Sequence, residues 1–161
     1  MKRIIIGNRE ISIRKPTYVI AEAGINHNGH YDIAEKLVKA AAETGADAVK
    51  FQIFHAQELV SKIELPDAYD NFKHVELSYK EFEKLAKLAE KQGLHFLSSA
   101  FDSESVDFLY GIDVFAFKIA SGEITNYPLL QHIAKKGRPI IMSTGMSTVG
   151  EIEEAIDTVY S

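Results

Sequence analysis

The chain contains no cysteine, which excludes disulfides, thiolate metal ligands and cysteine nucleophiles together. No apolar run approaches the ~20 residues needed to span a bilayer. No basic cluster of the kind that grips nucleic acid or anionic lipid is present either. The opening stretch "MKRIIIGNREISIRK" sets charges around a very short apolar core and does not read as a signal peptide. The dinucleotide fingerprint G-x-G-x-x-G is missing too, since "EAGINHNG" has the wrong spacing. These absences predict no membrane, no nucleic acid and a cytoplasmic location. What is there is an ordinary globular composition: 161 residues, 46% hydrophobic and 25% charged, with a formal net charge of -5.

Patterning predicts an N-terminal β-hairpin over residues 1–15, because "IIIGNREISI" places Gly7 and Asn8 between two β-prone runs. Residues 16–161 then alternate strand and helix. "TYVIAEAG", "DAVKFQIF", "LHFLSSAF", "VFAFKIAS" and "PIIMSTG" read as strands. Helices follow from about Asp32 (with Glu35 as a capping-box partner), Ser78 (with Glu81), Ser103, Asn126–Pro128 and Thr148 (with Glu151). A long polar stretch before Ser78 is left without regular structure, and Ser147 reads as a further cap. Five βα units in succession require a parallel sheet with helical crossovers, either doubly wound or part of a (β/α)8 barrel. Strand alternation favours the barrel. Val49, Phe51 and Ile53 oppose Ala48, Lys50 and Gln52, and Phe115, Phe117 and Ile119 oppose Ala116, Lys118 and Ala120. One face is bulky and the other small and polar, as suits a barrel whose active site opens at the C-terminal strand ends.

A charge inside such a sheet is costly unless something pairs with it. Polar residues gather where the strands run out: Glu22, Lys50 with Gln52, Ser98 with Ser99, Lys118 with Ser121 and Glu123, and Ser143 with Thr144. Two ammonium groups, several hydroxyls and Gly122 and Gly145 fit a small, multiply charged anion. An anionic substrate is therefore the expected partner of both lysines. The structural alternative pairs Lys50 with Glu22 and Lys118 with Glu123. His27 and His55 lie near strand tops and read as hydrogen-bonding residues rather than metal ligands. His74, His95 and His132 read as surface or helix-packing residues, and Phe82, Phe96 and Phe108 as core.

"VIAEAGINHNG", "GADAVKFQIF", "FKIASGEITNYPLLQHIAKKGRPIIMSTGM" and "STVGEIEEAI" resemble the sialic acid synthase family, with its legionaminic, pseudaminic and spore-coat polysaccharide relatives. The resemblance covers nearly the whole chain. It implies a TIM barrel in which phosphoenolpyruvate condenses with an N-acetylated amino sugar aldehyde to a nonulosonic acid, releasing phosphate. By the same resemblance Lys50 and Lys118 bind phosphoenolpyruvate, and Ser99, Ser121 and Ser143 hold phosphate oxygens. Glu22 and Gln52 contact the sugar, Glu22 and Glu123 are the catalytic carboxylates with Glu123 as acid/base, and Asn71 in the long stretch touches the sugar. Where the family usually shows Ser-Thr-Pro-Phe on the third strand, this chain has Ser98-Ser99-Ala100-Phe101, which keeps the hydroxyl.

The family also implies a divalent metal, manganese or magnesium, whose two histidine ligands lie in later βα units, so no residue here is assigned to it. It further implies an antifreeze-like domain that reaches into a partner's active site. The expected architecture is thus a barrel truncated after its fifth βα unit, with open edges that favour a homo-oligomer and little activity in isolation. Two other functions compete: a Schiff-base aldolase using Lys118, and a non-catalytic phosphoenolpyruvate-binding fragment.

Overall fold

The computed structural model describes residues 3–161, so the first two residues of the expected hairpin segment lie outside it. β1 (Ile4–Ile6) and β2 (Arg9–Ile11) pair antiparallel across Gly7 and Asn8. The main sheet has five parallel strands: β3 (Ile20–Gly24), β4 (Ala48–Ile53), β5 (His95–Ala100), β6 (Phe117–Ile119) and β7 (Ile140–Met142). Their spatial order follows the chain order. A doubly wound sheet reverses direction at a switch point, so sequential order is that of a barrel arc. The sheet is open between β3 and β7, and barrel closure is not a property of these residues.

The helices are α1 (Tyr31–Glu43), α2 (Ala56–Leu59), α3 (Pro66–His74), α4 (Tyr79–Lys91), α5 (Ser103–Gly111), α6 (Tyr127–Ala134) and α7 (Val149–Tyr160). The expected capping boxes at Ser78–Glu81 and Thr148–Glu151 are both formed. That at Asp32–Glu35 is not: His30 stands at the N-cap of α1 without a side-chain bond, and Asp32 meets Lys36 at 3.6 Å instead. Ser147 is no cap, since its hydroxyl donates to the Gly145 carbonyl while Thr148 caps α7. The polar stretch before Ser78 holds α2 and α3, which are short and too polar for their periodicity to stand out.

The bulky strand face packs under the helices as expected. Val49, Phe51, Ile53, Phe117 and Ile119 join Val38, Leu85, Leu109 and Leu130 in the main core. Phe51 is fully buried, stacked on Phe96 at 5.9 Å and edge-on to Phe82 at 6.5 Å, a burial that contributes roughly 2–3 kcal/mol. The opposite face carries a second cluster of Ala48, Leu97 and Ala116 capped by Ile6 of the hairpin. The hairpin therefore closes the N-terminal end of the sheet. Gly7 sits there at φ +58°, where a Cβ would lie 2.8 Å from the His95 ring and 2.9 Å from Phe115. Two expectations fail at this end. Phe115 lies before β6, exposed and edge-on to His95, rather than in the core face. His95 is a strand residue bonded to the Tyr18 hydroxyl at 2.7 Å and to Asn8 at 3.1 Å, not a surface or helix-packing histidine.

Candidate active site

The polar strand face converges at the C-terminal ends of β3 to β7. Register sets Glu22 beside Lys50, Gln52 beside Ser99, and Ser99 beside Lys118. Paired residues in a parallel sheet project to the same side, so five elements deliver their polar side chains to one place. The register shift between Glu22 and Gly24 ends the regular pairing of β3 and leaves the Glu22 carboxylate 3.2 Å from where a Gly24 side chain would start. Gln52 Nε2 lies 3.7 Å from that same point.

The Lys50 ammonium has three acceptors for its three protons. Glu22 Oε1 is at 2.9 Å, Ser99 Oγ at 3.3 Å and the Phe51 carbonyl at 3.5 Å. In the structure Lys50 pairs with Glu22, the bond that the structural alternative expects. A buried ammonium left unpaired is strongly penalised, and the adjacent carboxylate relieves that penalty. The pair is lopsided, with the Lys50 side chain 6% exposed and that of Glu22 55% exposed.

Lys118 is different. Its ammonium donates to the Ile119 carbonyl at 2.6 Å and to Ser143 Oγ at 2.7 Å. Among the described residues it has no carboxylate partner, so the alternative pairing with Glu123 is not formed. Burial first, and the Lys50 charge second, push its pKa below the ordinary lysine value, against the pull of Glu22. Both serines accept from a lysine, which leaves each hydroxyl proton free to donate outward. Ser121 closes this side, its Oγ 3.6 Å from the Cβ position of Gly145.

The remaining candidates bond to groups other than the two lysines. Ser98 is buried and donates to the Ser99 carbonyl, away from the lysines. Glu123, on a 3-10 turn over Ser121–Glu123, accepts from Asn126 Nδ2 at 2.8 Å, and Asn126 in turn caps α6. Asn126 thus aims the carboxylate, a role hidden behind its capping signature. Asn71 is exposed on α3 rather than in a loop. His27 is buried, its Nδ1 accepting from Gly29 N–H at 3.1 Å, and His55 bonds Glu76 at 3.3 Å. A cavity of about 400 Å³ lined by Glu58, Asp102, Glu104 and Asn126 opens among the loops that follow β4, β5 and β6. A larger one of about 660 Å³ lies near His95 and Phe115, at the opposite end of the strands from the lysines.

A divalent metal does not fit these residues. Among the described residues no three His, Asp or Glu side chains gather as a ligand set, and the strand-end cluster carries two ammonium groups that repel a cation. Among the described residues, too, no helix is long and apolar enough to cross a membrane.

A sequence model of the NeuB family matches residues 37–161. The chain is 46% identical to an N,N'-diacetyllegionaminic acid synthase of Legionella pneumophila over 94% of its own length and 48% of that protein. It is 32% identical to the human N-acetylneuraminate-9-phosphate synthase, over 94% of its length and 45% of that protein. The crystal structure of an N-acetylneuraminic acid synthetase from Leptospira borgpetersenii, in complex with citrate, superposes with a TM-score of 0.94 at 34% identity, covering 99% of this chain and 55% of that one. The chain spans about half the length of the curated relatives it matches. By sequence and by fold together, this chain belongs to the NeuB family of sialic acid synthases and their relatives.

Proposed function

We propose that the chain provides the donor side of a synthase site that condenses phosphoenolpyruvate with an N-acetylated amino sugar aldehyde. The observation that carries this reading is the Lys118 ammonium, half-buried, without a carboxylate among the described residues, and held against Ser143. With Lys50 and the Ser99, Ser121 and Ser143 hydroxyls it forms a fixed cationic cradle for a phosphate and a carboxylate on one ligand. Fixed donors lower the barrier by stabilising charge as it shifts, without having to reorganise.

In the proposed reaction C3 of the donor attacks the open-chain aldehyde carbon, and the aldehyde oxygen takes up a proton to become a hydroxyl. Electron demand then falls on C2. Water adds at C2 and loses a proton, and the resulting tetrahedral centre breaks its bond to the phosphate oxygen. The products are the 2-keto acid and inorganic phosphate. Glu123, aimed by Asn126, is the proposed acceptor of the water proton. Glu22 and Gln52 face the acceptor sugar. The cradle binds a small-molecule donor, and the proposal includes a homo-oligomer, which light scattering detects.

Calorimetric titration with phosphoenolpyruvate tests the reading directly. Binding that Lys118→Met weakens about 10- to 100-fold is expected, with little phosphate release by the 161-residue chain in a coupled assay with manganese and an N-acetylated amino sugar. Donor binding unaffected by Lys118→Met would overturn it. A second reading, a Schiff-base aldolase, draws on the lowered Lys118 pKa, which makes an amine more nucleophilic. Borohydride trapping of a pyruvate adduct on Lys118 would favour it, and no adduct is expected.

A further inference from the structure

We infer that Glu22 is a displaceable internal counter-ion, occupying on Lys50 the position that an incoming anion takes. The inference rests on the donor-site reading above and concerns what stands there when the site is empty. Lys50 has no N–H to spare: its three protons face Glu22, Ser99 and the Phe51 carbonyl. An anion can reach this ammonium only by removing one acceptor. The Phe51 carbonyl belongs to the backbone of β4, and Ser99 is buried on β5. Glu22 alone of the three has a side chain more than half exposed, so it can turn outward into water at low cost. Lys118 has one N–H beyond its bonds to Ile119 and Ser143 and accepts an anion with nothing displaced.

The charge count points the same way. Two lysines and one glutamate leave the cluster a single net positive charge (2 − 1 = 1). A small monoanion is matched at Lys118 with the Lys50–Glu22 pair intact. A dianion bridging both ammonium groups is matched only once the Glu22 carboxylate has left. Glu22 thus holds the Lys50 ammonium in place while the site is empty, and it weakens retention of a small phosphate that has to leave.

Calorimetric titration with inorganic phosphate on wild type, Glu22→Gln, Lys50→Met and the double variant decides the matter. Neutralising Glu22 is expected to tighten phosphate binding about tenfold, a ratio equal to about 1.4 kcal/mol. The gain should vanish in the Lys50→Met background, because the competition runs through that ammonium. Added phosphate should also raise the Tm of Glu22→Gln more than that of wild type, since a ligand that binds only the folded state stabilises it. If Glu22→Gln fails to fold, Glu22→Asp, whose shorter side chain makes a poorer pair, is judged by the same criterion. Unchanged or weaker phosphate binding would overturn the inference, as would a gain that survives in Lys50→Met and so reports only a general field. Lys118→Met separates the two levels. If it abolishes phosphate binding while Glu22→Gln gives no gain, the donor site stands and the counter-ion role falls. If phosphate binds independently of Lys118, the donor-site reading falls with it.

Discussion

Lys118 and Ser143 meet across the β6–β7 pair, the ammonium donating to the hydroxyl oxygen at 2.7 Å. The lysine comes from one strand and the serine from the segment just past the next, 25 residues later in sequence. A hydrogen bond to a charged group contributes about 1.5–3 kcal/mol. Lys118→Met is therefore expected to weaken phosphate and phosphoenolpyruvate binding by about 10- to 100-fold, while leaving the fold intact. Calorimetry with circular dichroism as the folding control checks both halves of that statement.

The pH dependence of stability has two opposite contributions. The Lys118 pKa is pushed below 10.5 by burial and by Lys50, so on raising the pH the folded chain loses this proton before the unfolded chain does. From the lowered value up to 10.5 the unfolded state binds more protons, and stability rises with pH. Lys118→Met should remove that rise. Burial and Asp47 push the Tyr18 hydroxyl up to about 12 from 10.0. Its contribution is present below 10 and is lost as the pH climbs from 10 toward 12. Urea denaturation of wild type and variant across the alkaline range separates the two.

The capping boxes of α4 and α7 offer a matched pair. In each, a hydroxyl accepts from the N3 backbone while the N3 glutamate accepts from the cap. Ser78→Ala and Thr148→Ala should each cost about 1 kcal/mol. Asp32→Ala, at the helix start that lacks a cap, should cost less. Chemical denaturation of the three variants ranks them.

Gly29, at φ +75°, would place a Cβ 2.1 Å from the His74 carbonyl oxygen at the end of α3. That neighbour is backbone and cannot turn aside. Gly7→Ala meets side chains instead. Both substitutions should destabilise by at least about 1–3 kcal/mol, with Gly29→Ala the worse. A fall in Tm larger for Gly29→Ala than for Gly7→Ala checks the order.

Much of this was legible because local chemistry and strand alternation acted alone. The hairpin at Gly7–Asn8, the parallel strands and two of the capping boxes depend on residues within a few positions of one another. The shared face of Lys50 and Gln52 follows from a period of two. What alternation does not contain is distance. It placed Lys50 and Lys118 on the inward face but could not tell that one is satisfied by Glu22 and the other is not. The short helices α2 and α3 leave no signal in the sequence, because their polar residues mask any apolar stripe. Phe115 reads as part of the bulky strand face because a run of aromatic and apolar residues reads as strand, although the strand begins only at Phe117.

The sequence by itself determined the order of elements, which strand face turns to the helices, and the supply of lysines and hydroxyls at the strand ends. Those are properties of neighbours along the chain. Tertiary structure decided which ammonium is already neutralised and which is open, because that depends on register between strands tens of residues apart and on how deeply each amine is withdrawn from water.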